Sequence, residues 1–436
     1  MGNLKSMISL DNPARLTYHK LRAITANIIN GFPSKNMIIV GVTGTNGKTT
    51  TCNIIARGLI KEGKKVFMFT TVNVIIGDQE FVNNTKMTSP DPFLLQKYLK
   101  MAKEKGCEIA IIETASHGIK MHRIWGIEYD ICVLTNITQD HLDLHRTMRD
   151  YVKTKLTIFK KLIAYKRKPG IKKTAVLNMN SAYLDDFLDQ TYDSLYKYGD
   201  AGNANVRAEN LRIEGQTTKF DITTAGSVIK IETSLKGQFN VENILAAVCV
   251  FIAFGIDPKK IPEMIKDVTG VPGRMEKVEN DIGADIYVDY AHTADALEKV
   301  LTSLRNYNYN KIVTVFGATG SRDKTKRPEM GRIVDRNSDV IILTQDDDYA
   351  EKTEKIIKDV LPGIKRKEGE NFWIIPTRRE AIEAGIFALK KGDCLLVAGK
   401  GDEHTMVTNS GAVPWHDKTV ILEILKGIKD NQIIKN

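Results

Sequence analysis

The sequence predicts an α/β protein of two parallel-sheet domains: a central P-loop-type domain on a mostly parallel sheet, then a C-terminal Rossmann-like, doubly wound domain. Three observations predict it. Apolar runs of strand length alternate with helix-length stretches along most of the 436 residues, as in a parallel sheet covered by helices. A glycine-rich stretch, GVTGTNGKTTT (41–51), follows the apolar run MIIV (37–40) and opens a helix. After GVPGRMEKV (270–278) the strand–helix rhythm restarts and gives a second set of strands.

Residues 1–37 offer one helical stretch, ARLTYHKLRAITANIINGF, as a short N-terminal extension. The central domain is expected over 38–272. NMIIVGVTG reads as a strand, KTTTCNIIARGLIKEG as a helix, KKVFMFTT as a strand and DPFLLQKYLKMAKEKG as a helix. CEIAIIETASH and YDICVLTNI continue the strands. Residues 201–235 alternate polar and apolar side chains and predict a short antiparallel excursion. TGVPGR, punctuated by Pro272 and Gly273, is the expected hinge. In 273–436, ADIYVDYAH, KIVTVFGATG, DVIILTQDD, NFWIIPT and DCLLVAGKG read as the strands of the second domain.

Composition narrows the function classes. No apolar run approaches the length of about 20 residues that a membrane helix needs. The start, MGNLKSMISLDNPARL, lacks an apolar core followed by a cleavage site, so no secretory leader is expected. Five cysteines are scattered without a CxxC pair, and four lie in apolar runs. That predicts reduced core residues in a cytoplasmic protein. The net charge of +10 admits an anionic partner. Its lysines are dispersed, as in KKLIAYKRKPGIKK (160–173), with no interleaved aromatics, so a nucleotide is expected rather than nucleic acid. The chain is expected to act as a monomer.

The loop carries the first chemistry. Gly41, Gly44 and Gly47 recur at every third position, and Gly47-Lys48-Thr49 ends a phosphate-loop pattern whose first glycine is absent. Glycines let main-chain N–H groups converge on an anion, and the following helix points its positive end there. Lys48 adds charge, and the Thr49 hydroxyl can reach Mg²⁺; a purely structural turn has no need of the lysine. Glu113 ends an apolar strand in IIETASHG, where a carboxylate can serve a metal bound to the nucleotide or simply cap the strand. TNITQDHLDLH (135–145) gathers Asp140, His141, Asp143 and His145. That grouping reads either as a metal cluster or as helix-start caps with exposed histidines.

Taken together, these stretches resemble the Mur ligase family, and most closely its MurE branch, which joins an amino acid to UDP-MurNAc-dipeptide in peptidoglycan synthesis. The matching stretches run in order: GVTGTNGKTTT, TSP (88–90), ETASHGIKMHR, TNITQDHLDLH, YVKTKLTIF, KGQFNVENILAA, GVPGRMEKV, VDYAHTADAL, GATGSRDKTKRPEMG and AGKGDE. The resemblance implies an enzyme using ATP and Mg²⁺ that activates a carboxylate as an acyl phosphate for attack by an amine. By resemblance, Gly44, Thr45, Asn46, Gly47, Lys48, Thr49 and Thr50 hold the phosphates, and Asn240, Asn243, Arg274 and Asp289 contact the nucleotide. Thr49, Glu113 and His141 serve magnesium, joined by Lys155 if it is carbamylated; Lys48, Glu113, His141 and Lys155 are the implied catalytic set. Thr88, Ser89, Ser116, His117 and Arg123 match substrate positions. Arg322 is implied for the amino acid's own carboxylate and Glu403 for its amine.

Departures from the family pattern sharpen the expectations. About 36 residues precede the loop's strand, fewer than a domain requires, so the N-terminal UDP-binding domain of the family is expected to be absent and the carrier is open. Ala115 stands where serine is usual, and Asp402 where histidine is usual. Members that add diaminopimelate carry DNPR, and the aligned stretch here is Asp346-Asp347-Asp348-Tyr349. Acids without an arginine suit an ammonium, so Asp346 and Asp347 predict lysine or ornithine over diaminopimelate. The other reading of this run is an acidic cap for the helix in AEKTEKIIKDV. Two alternatives stand beside the MurE step. One is a related ligase on another carrier, of pseudomurein, cyanophycin, polyglutamate or folylpolyglutamate type. The other is a nucleotide-binding partner without ligase activity.

Overall fold

The structure, a computed structural model, describes residues 12–435 apart from 86 and 216. Residues 1–11, on which much of the expectation about a leader falls, lie outside the described residues. The chain divides into two compact units. One holds the described residues up to Leu235 together with Phe239–Thr269; the other holds Lys236–Gln238 and the described residues from Gly270 onward. Among the described residues no helix is long and apolar enough to cross a membrane.

The first unit opens with α1 (Pro13–Asn30). The Asn12 side chain accepts from the Ala14 amide, Pro13 presets the first φ, and Gly31 ends the helix in the left-handed region. Then come β1 (Ile38–Thr43), α2 (Lys48–Lys61), β2 (Val66–Phe69), β3 (Asn73–Ile76), β4 (Gln79–Val82), α3 (Pro92–Glu104) and β5 (Ile109–Glu113). They are followed by α4 (Ser116–Lys120), β6 (Ile131–Leu134), α5 (Leu142–His145), α6 (Met148–Ala164), β7 (Thr174–Asn178) and β8 (Ser194–Tyr198). The strands form one sheet in the order β4-β3-β2-β5-β1-β6-β7-β8. It is parallel from β2 to β8, with β3 and β4 added antiparallel at one edge.

Burial on both faces explains the near-continuous apolar strands. In β1, Val40 and Val42 join one cluster with Ile54 and Leu59 of α2 and Ile244 and Val248 of α7 (Gln238–Ala253). Ile39 joins the cluster on the other face, with Leu95 and Leu99 of α3 and Phe159 and Leu162 of α6. Each such side chain contributes roughly 1.5–3 kcal/mol when removed from water. The expected antiparallel excursion is β9 (Arg207–Glu214), β10 (Thr217–Thr224) and β11 (Ser227–Thr233), whose Phe220, Ile222, Ile229 and Ile231 are buried. β1 lies between β5 and β6, and the chain crosses it in passing from one to the other. The carboxyl ends of these strands therefore open the crevice where such sheets bind ligands.

The second unit carries β12 (Glu276–Val278), β13 (Asp285–Asp289), α8 (Ala294–Arg305), β14 (Ile312–Phe316), α9 (Arg327–Asn337), β15 (Val340–Leu343) and α10 (Thr353–Val360). β16 (Phe372–Ile374), α11 (Arg378–Phe387), β17 (Cys394–Ala398), the hairpin β18 (Thr405–Thr408) and β19 (Gly411–Pro414), and α12 (Asp417–Lys435) complete it. The sheet order is β12-β13-β17-β14-β15-β16, parallel except for β12. All five cysteines of the chain are buried and free.

One buried ion pair fastens this unit's carboxyl edge. The Arg378 guanidinium grips Asp417 at 2.8 and 2.7 Å and donates to the carbonyls of Ala398 at 3.0 Å and Gln345 at 3.2 Å. Both side chains are fully buried. The ends of β17 and β15 are thereby tied to the start of α12. Arg378→Ala leaves a buried carboxylate without its cation, and a loss of about 3–5 kcal/mol is expected. Urea unfolding checks this; a loss below about 1 kcal/mol, typical of exposed pairs, would count against it.

Candidate active site

In the first unit the loop from Gly44 to Gly47 joins β1 to α2. Gly44 has φ 153° and Gly47 φ 82°, and neither tolerates a side chain. A Cβ on Gly44 would lie 1.8 Å from Thr135 Oγ1, and one on Gly47 2.4 Å from Asn243 Oδ1. The loop is laced to the exit of β6. Thr45 N donates to Asn136 O at 2.9 Å, Asn46 N to Asn136 Oδ1 at 2.9 Å, and Thr138 N to Thr45 Oγ1 at 3.0 Å. Lys48 Nζ donates to Thr45 O at 2.7 Å. Thr50 is buried in the first turn of α2. Behind the loop, Asn243 donates to Asn240 Oδ1 at 2.9 Å and accepts from Thr51 Oγ1 at 3.2 Å.

Glu113, buried at the end of β5, faces the start of α2. Its Oε2 accepts from Thr49 Oγ1 at 3.0 Å, Thr71 N at 2.8 Å and Thr71 Oγ1 at 3.1 Å. A hydroxyl and a carboxylate are hard oxygen donors, which fits Mg²⁺. Thr71 also pairs with Thr88 Oγ1 at 2.7 Å. Ser89 Oγ accepts from Ala115 N at 3.3 Å, and Arg123 donates to Ser89 O at 2.9 Å. Thr88, Ser89, Ser116 and Arg123 are thus brought to one side of Glu113. Ser116 Oγ is buried and has no hydrogen-bond partner among the described residues.

On the other side stand the histidines. His117 packs edge-on to His141 at 4.6 Å, and Tyr151 lies 5.1 Å from His145 and 6.3 Å from His141. Asp140 Oδ2 lies 3.3 Å from His141 Nε2. His141 holds a left-handed φ of 56°, a strained conformation for a residue with a side chain. Burial pushes its pKa well down, and His117, Lys155 and Lys48 add to that against Asp140. A neutral imidazole keeps a lone pair for a metal. The cluster is therefore largely internal, not a row of exposed caps; the Asp143 side chain lies outside the described residues.

Lys155, on α6, is buried. Its Nζ donates to Gly44 O at 2.7 Å and sits 4.4 Å from the Tyr151 ring centre. Burial lowers its pKa well below the ordinary 10.5, and Lys48 lowers it further against the pull of Asp140. A neutral amine is what carbamylation requires.

In the second unit Asp289 accepts from Met275 N at 2.6 Å and Ala291 N at 2.7 Å, and burial raises its pKa. Arg274 stacks on Tyr290 at 4.2 Å, and Arg322 lies 5.7 Å from the Tyr349 ring centre. Asp347 Oδ1 accepts from Lys400 Nζ at 2.7 Å and Val407 N at 2.7 Å, and Glu403 lies 2.5 Å from the same ammonium. Asp348 accepts from Thr353 Oγ1 at 2.8 Å. Of the three, Asp348 hydrogen-bonds the first residue of α10, while Asp347 bonds Lys400 and a strand amide, so the run is not a simple helix cap.

Sequence reasoning gave no role to Thr71, Tyr151 or Lys400. Thr71 and Tyr151 carry no local signal. Lys400 sits in the quoted AGKGDE stretch, and the neighbouring acids were the available clue.

Because Lys155 is depressed in the fold, the unfolded chain binds a proton that the fold refuses between the two pKa values. Stability therefore rises with pH across that window. Lys155→Met is expected to flatten this slope in CO₂-free buffer, read by urea unfolding from neutral pH to about 10. An unchanged slope would show that Lys155 is not held neutral.

Comparison with known proteins agrees with this geometry. The Mur ligase middle domain matches residues 42–251, and the Mur ligase glutamate ligase domain matches residues 273–401. The UDP-N-acetylmuramoyl-L-alanyl-D-glutamate--2,6-diaminopimelate ligase of Clostridium botulinum is 34% identical over 411 residues, 94% of this chain and 82% of that protein. Its counterpart in Geobacillus kaustophilus is 36% identical over 423 residues, 96% of this chain and 85% of that protein. A solved structure of such a ligase superposes with TM-score 0.63 at 28% identity, covering 95% of this chain and 83% of the other. Folylpolyglutamate synthase of Mycobacterium tuberculosis, solved with ADP, gives TM-score 0.69 at 15% identity over 89% of this chain and 92% of the other, a likeness of fold. With both domain families matched in order, and relatives of this identity and coverage, the chain belongs to the Mur ligase family, with MurE enzymes as its homologues.

Proposed function

We propose that the chain joins a diamino acid to the glutamyl carboxylate of UDP-MurNAc-L-alanyl-D-glutamate at the expense of ATP, in the cytoplasm. The observation that carries this reading is the phosphate loop with Thr49 and Glu113 in contact at 3.0 Å, in a chain that matches both Mur ligase domains. The acceptor carboxylate attacks the terminal phosphorus of ATP, ADP leaves, and an acyl phosphate forms. The amine then attacks the acyl carbon, and phosphate leaves.

Residues 38–272 serve the nucleotide and acceptor in this reading, and 273–436 serve the amino acid. Main-chain N–H groups at the start of α2 receive the phosphates, the loop before it being tied to the β6 exit through Thr45 N and Asn46 N, and Lys48 offsets charge on the transferring group. Thr49 and Glu113 would hold Mg²⁺, which supplies charge neutralisation on the phosphates; His141 and a carbamylated Lys155 would hold a second ion. Thr88, Ser89, Ser116, His117 and Arg123 position the acceptor, Asn240, Asn243, Arg274 and Asp289 the nucleotide, and Arg322 the amino acid's carboxylate. Asp346, Asp347 and Glu403 around Lys400 favour lysine or ornithine over the diaminopimelate for which the relatives are named.

Phosphate release tests this, with UDP-MurNAc-L-alanyl-D-glutamate crossed with lysine, ornithine, diaminopimelate and glutamate, and products read by mass. Turnover fastest with lysine or ornithine is expected; preference for diaminopimelate overturns the specificity, and no turnover with any of them overturns the acceptor. Glu113→Gln should lower kcat by about a hundredfold or more. In ¹³CO₂-equilibrated buffer a carbamate carbon signal is expected in the wild type and not in Lys155→Met; its absence from the wild type counts against carbamylation.

A further inference from the structure

Away from the phosphate loop, in the second unit, three metal-capable side chains meet at the base of the β18–β19 hairpin. Asp402 lies in the turn after β17, His404 immediately before β18, and His416 between β19 and α12. Pairing of Thr405 with Pro414 sets the register, and Trp415 N donates to His404 O at 3.1 Å. The hairpin thus holds both histidines at its open end. Asp402 Oδ1 lies 3.3 Å from His416 Nε2 and 3.9 Å from His404 Nε2. The donor atoms of all three fall within 4.8 Å of one another.

The contacts leave these donors facing one another. His416 Nδ1 pairs with Thr419 Oγ1 at 2.8 Å, while its Nε2 is buried and has no hydrogen-bond partner among the described residues. With Nδ1–H donating to Thr419, the Nε2 lone pair faces the Asp402 carboxylate oxygen, an arrangement that a shared cation, proton or metal, would bridge. The two imidazoles stack at 4.5 Å with 23° between planes. Two protons would place two positive rings face to face, whereas one dication satisfies all three donors. Fixing a ligating imidazole through its other nitrogen is a recurrent feature of metal sites.

We propose that Asp402, His404 and His416 form a site for one transition-metal dication of the zinc class, with further coordination left to solvent. Two imidazoles and one carboxylate suit Zn²⁺ or Co²⁺ better than Mg²⁺, which prefers a shell dominated by oxygen. Tetrahedral bonds of about 2.0–2.2 Å put donors about 3.3–3.6 Å apart. The Asp402–His416 spacing already meets this, and the half-exposed His404 side chain closes the rest by a small rotation. The metal would pin the turn carrying Lys400 and Glu403 to the hairpin and to the start of α12. This holds whichever amino acid the enzyme uses.

Calorimetric titration of chelator-treated full-length protein with Zn²⁺, in excess Mg²⁺, tests it, with Co²⁺ absorption as the coordination probe. The expected result is a Zn²⁺ equivalent and a four-coordinate Co²⁺ spectrum that His404→Ala weakens by at least about tenfold. His416→Gln should do the same, and Zn²⁺ should raise the Tm of the wild type more than that of either variant. Absence of Zn²⁺ binding by the wild type, or unchanged stoichiometry and affinity in the exposed-site variant His404→Ala, overturns the proposal.

Discussion

The first unit is organised around a phosphate loop that two amines approach, each donating to a loop carbonyl. Lys155 is buried against a main-chain carbonyl, Gly44 O, and Lys48 repels it. Lys48 itself bonds to another carbonyl, Thr45 O. The positive end of α2 begins at the same loop. Burial pushes both Lys155 and His141 towards their neutral forms, which leaves Lys48 and the helix end as the positive groups at the loop. Placing a second amine beside Lys48 disfavours its charged form, and on the proposed reading an entering polyphosphate would relieve that repulsion. The site is therefore preorganised for an anion, with Glu113 on the far side supplying the one carboxylate that faces Thr49.

Topology delivers these groups without long excursions. β1 lies between β5 and β6, so the phosphate loop, Glu113 and the 135–141 segment leave three adjacent strands. In the second unit β17 lies between β13 and β14, and β15 is next, so Asp289, Lys400, Arg322 and Asp347 follow neighbouring strands. Backbone strain is found beside these residues. His141, Met275, Ser321 and Tyr349 take φ of 56°, 46°, 53° and 51°, and each is, or adjoins, a residue of the acidic run or of the expected site. Tight packing at the strand ends holds conformations that an isolated loop would relax.

Much of this was legible in the sequence because burial on two faces writes itself as apolar runs, and phosphate binding needs glycine and lysine in a short loop. The strands of both parallel sheets that border the sites, and the placing of Glu113, could be read that way. The β3–β4 hairpin, β12 and the β18–β19 hairpin could not, since three or four residues show no period. Thr71 and Tyr151 acquire their roles from tertiary contact with Glu113 and the histidines, and no local pattern marks them. The acidic run 346–348 reads as a site for an ammonium or as a helix cap, and its internal contacts are not visible in the sequence. Asp347 is bonded to Lys400 and a strand amide, and Asp348 to Thr353.

The charge balance of that corner bears on specificity. Arg378 is matched by Asp417, which leaves Lys400 facing Asp346, Asp347 and Glu403. Burial and the neighbouring acids raise the Glu403 pKa despite Lys400, the response of a carboxylate with too few cations around it. Burial alone would raise Asp346 as well, yet Lys400 and Arg378 bring it down overall. Lys400 thus pairs with both Asp347 and Glu403, and Glu403 is the more exposed of the two. Its side chain is about one-third exposed at 32%, so on the proposed reading an incoming ammonium would reach it beside Lys400. A substrate bringing a second carboxylate to the same corner would worsen the imbalance unless Arg322, held over Tyr349, received it. On the proposed reading, selectivity between one and two carboxylates would turn on how Arg322 is shared between the amino acid's own carboxylate and a distal one.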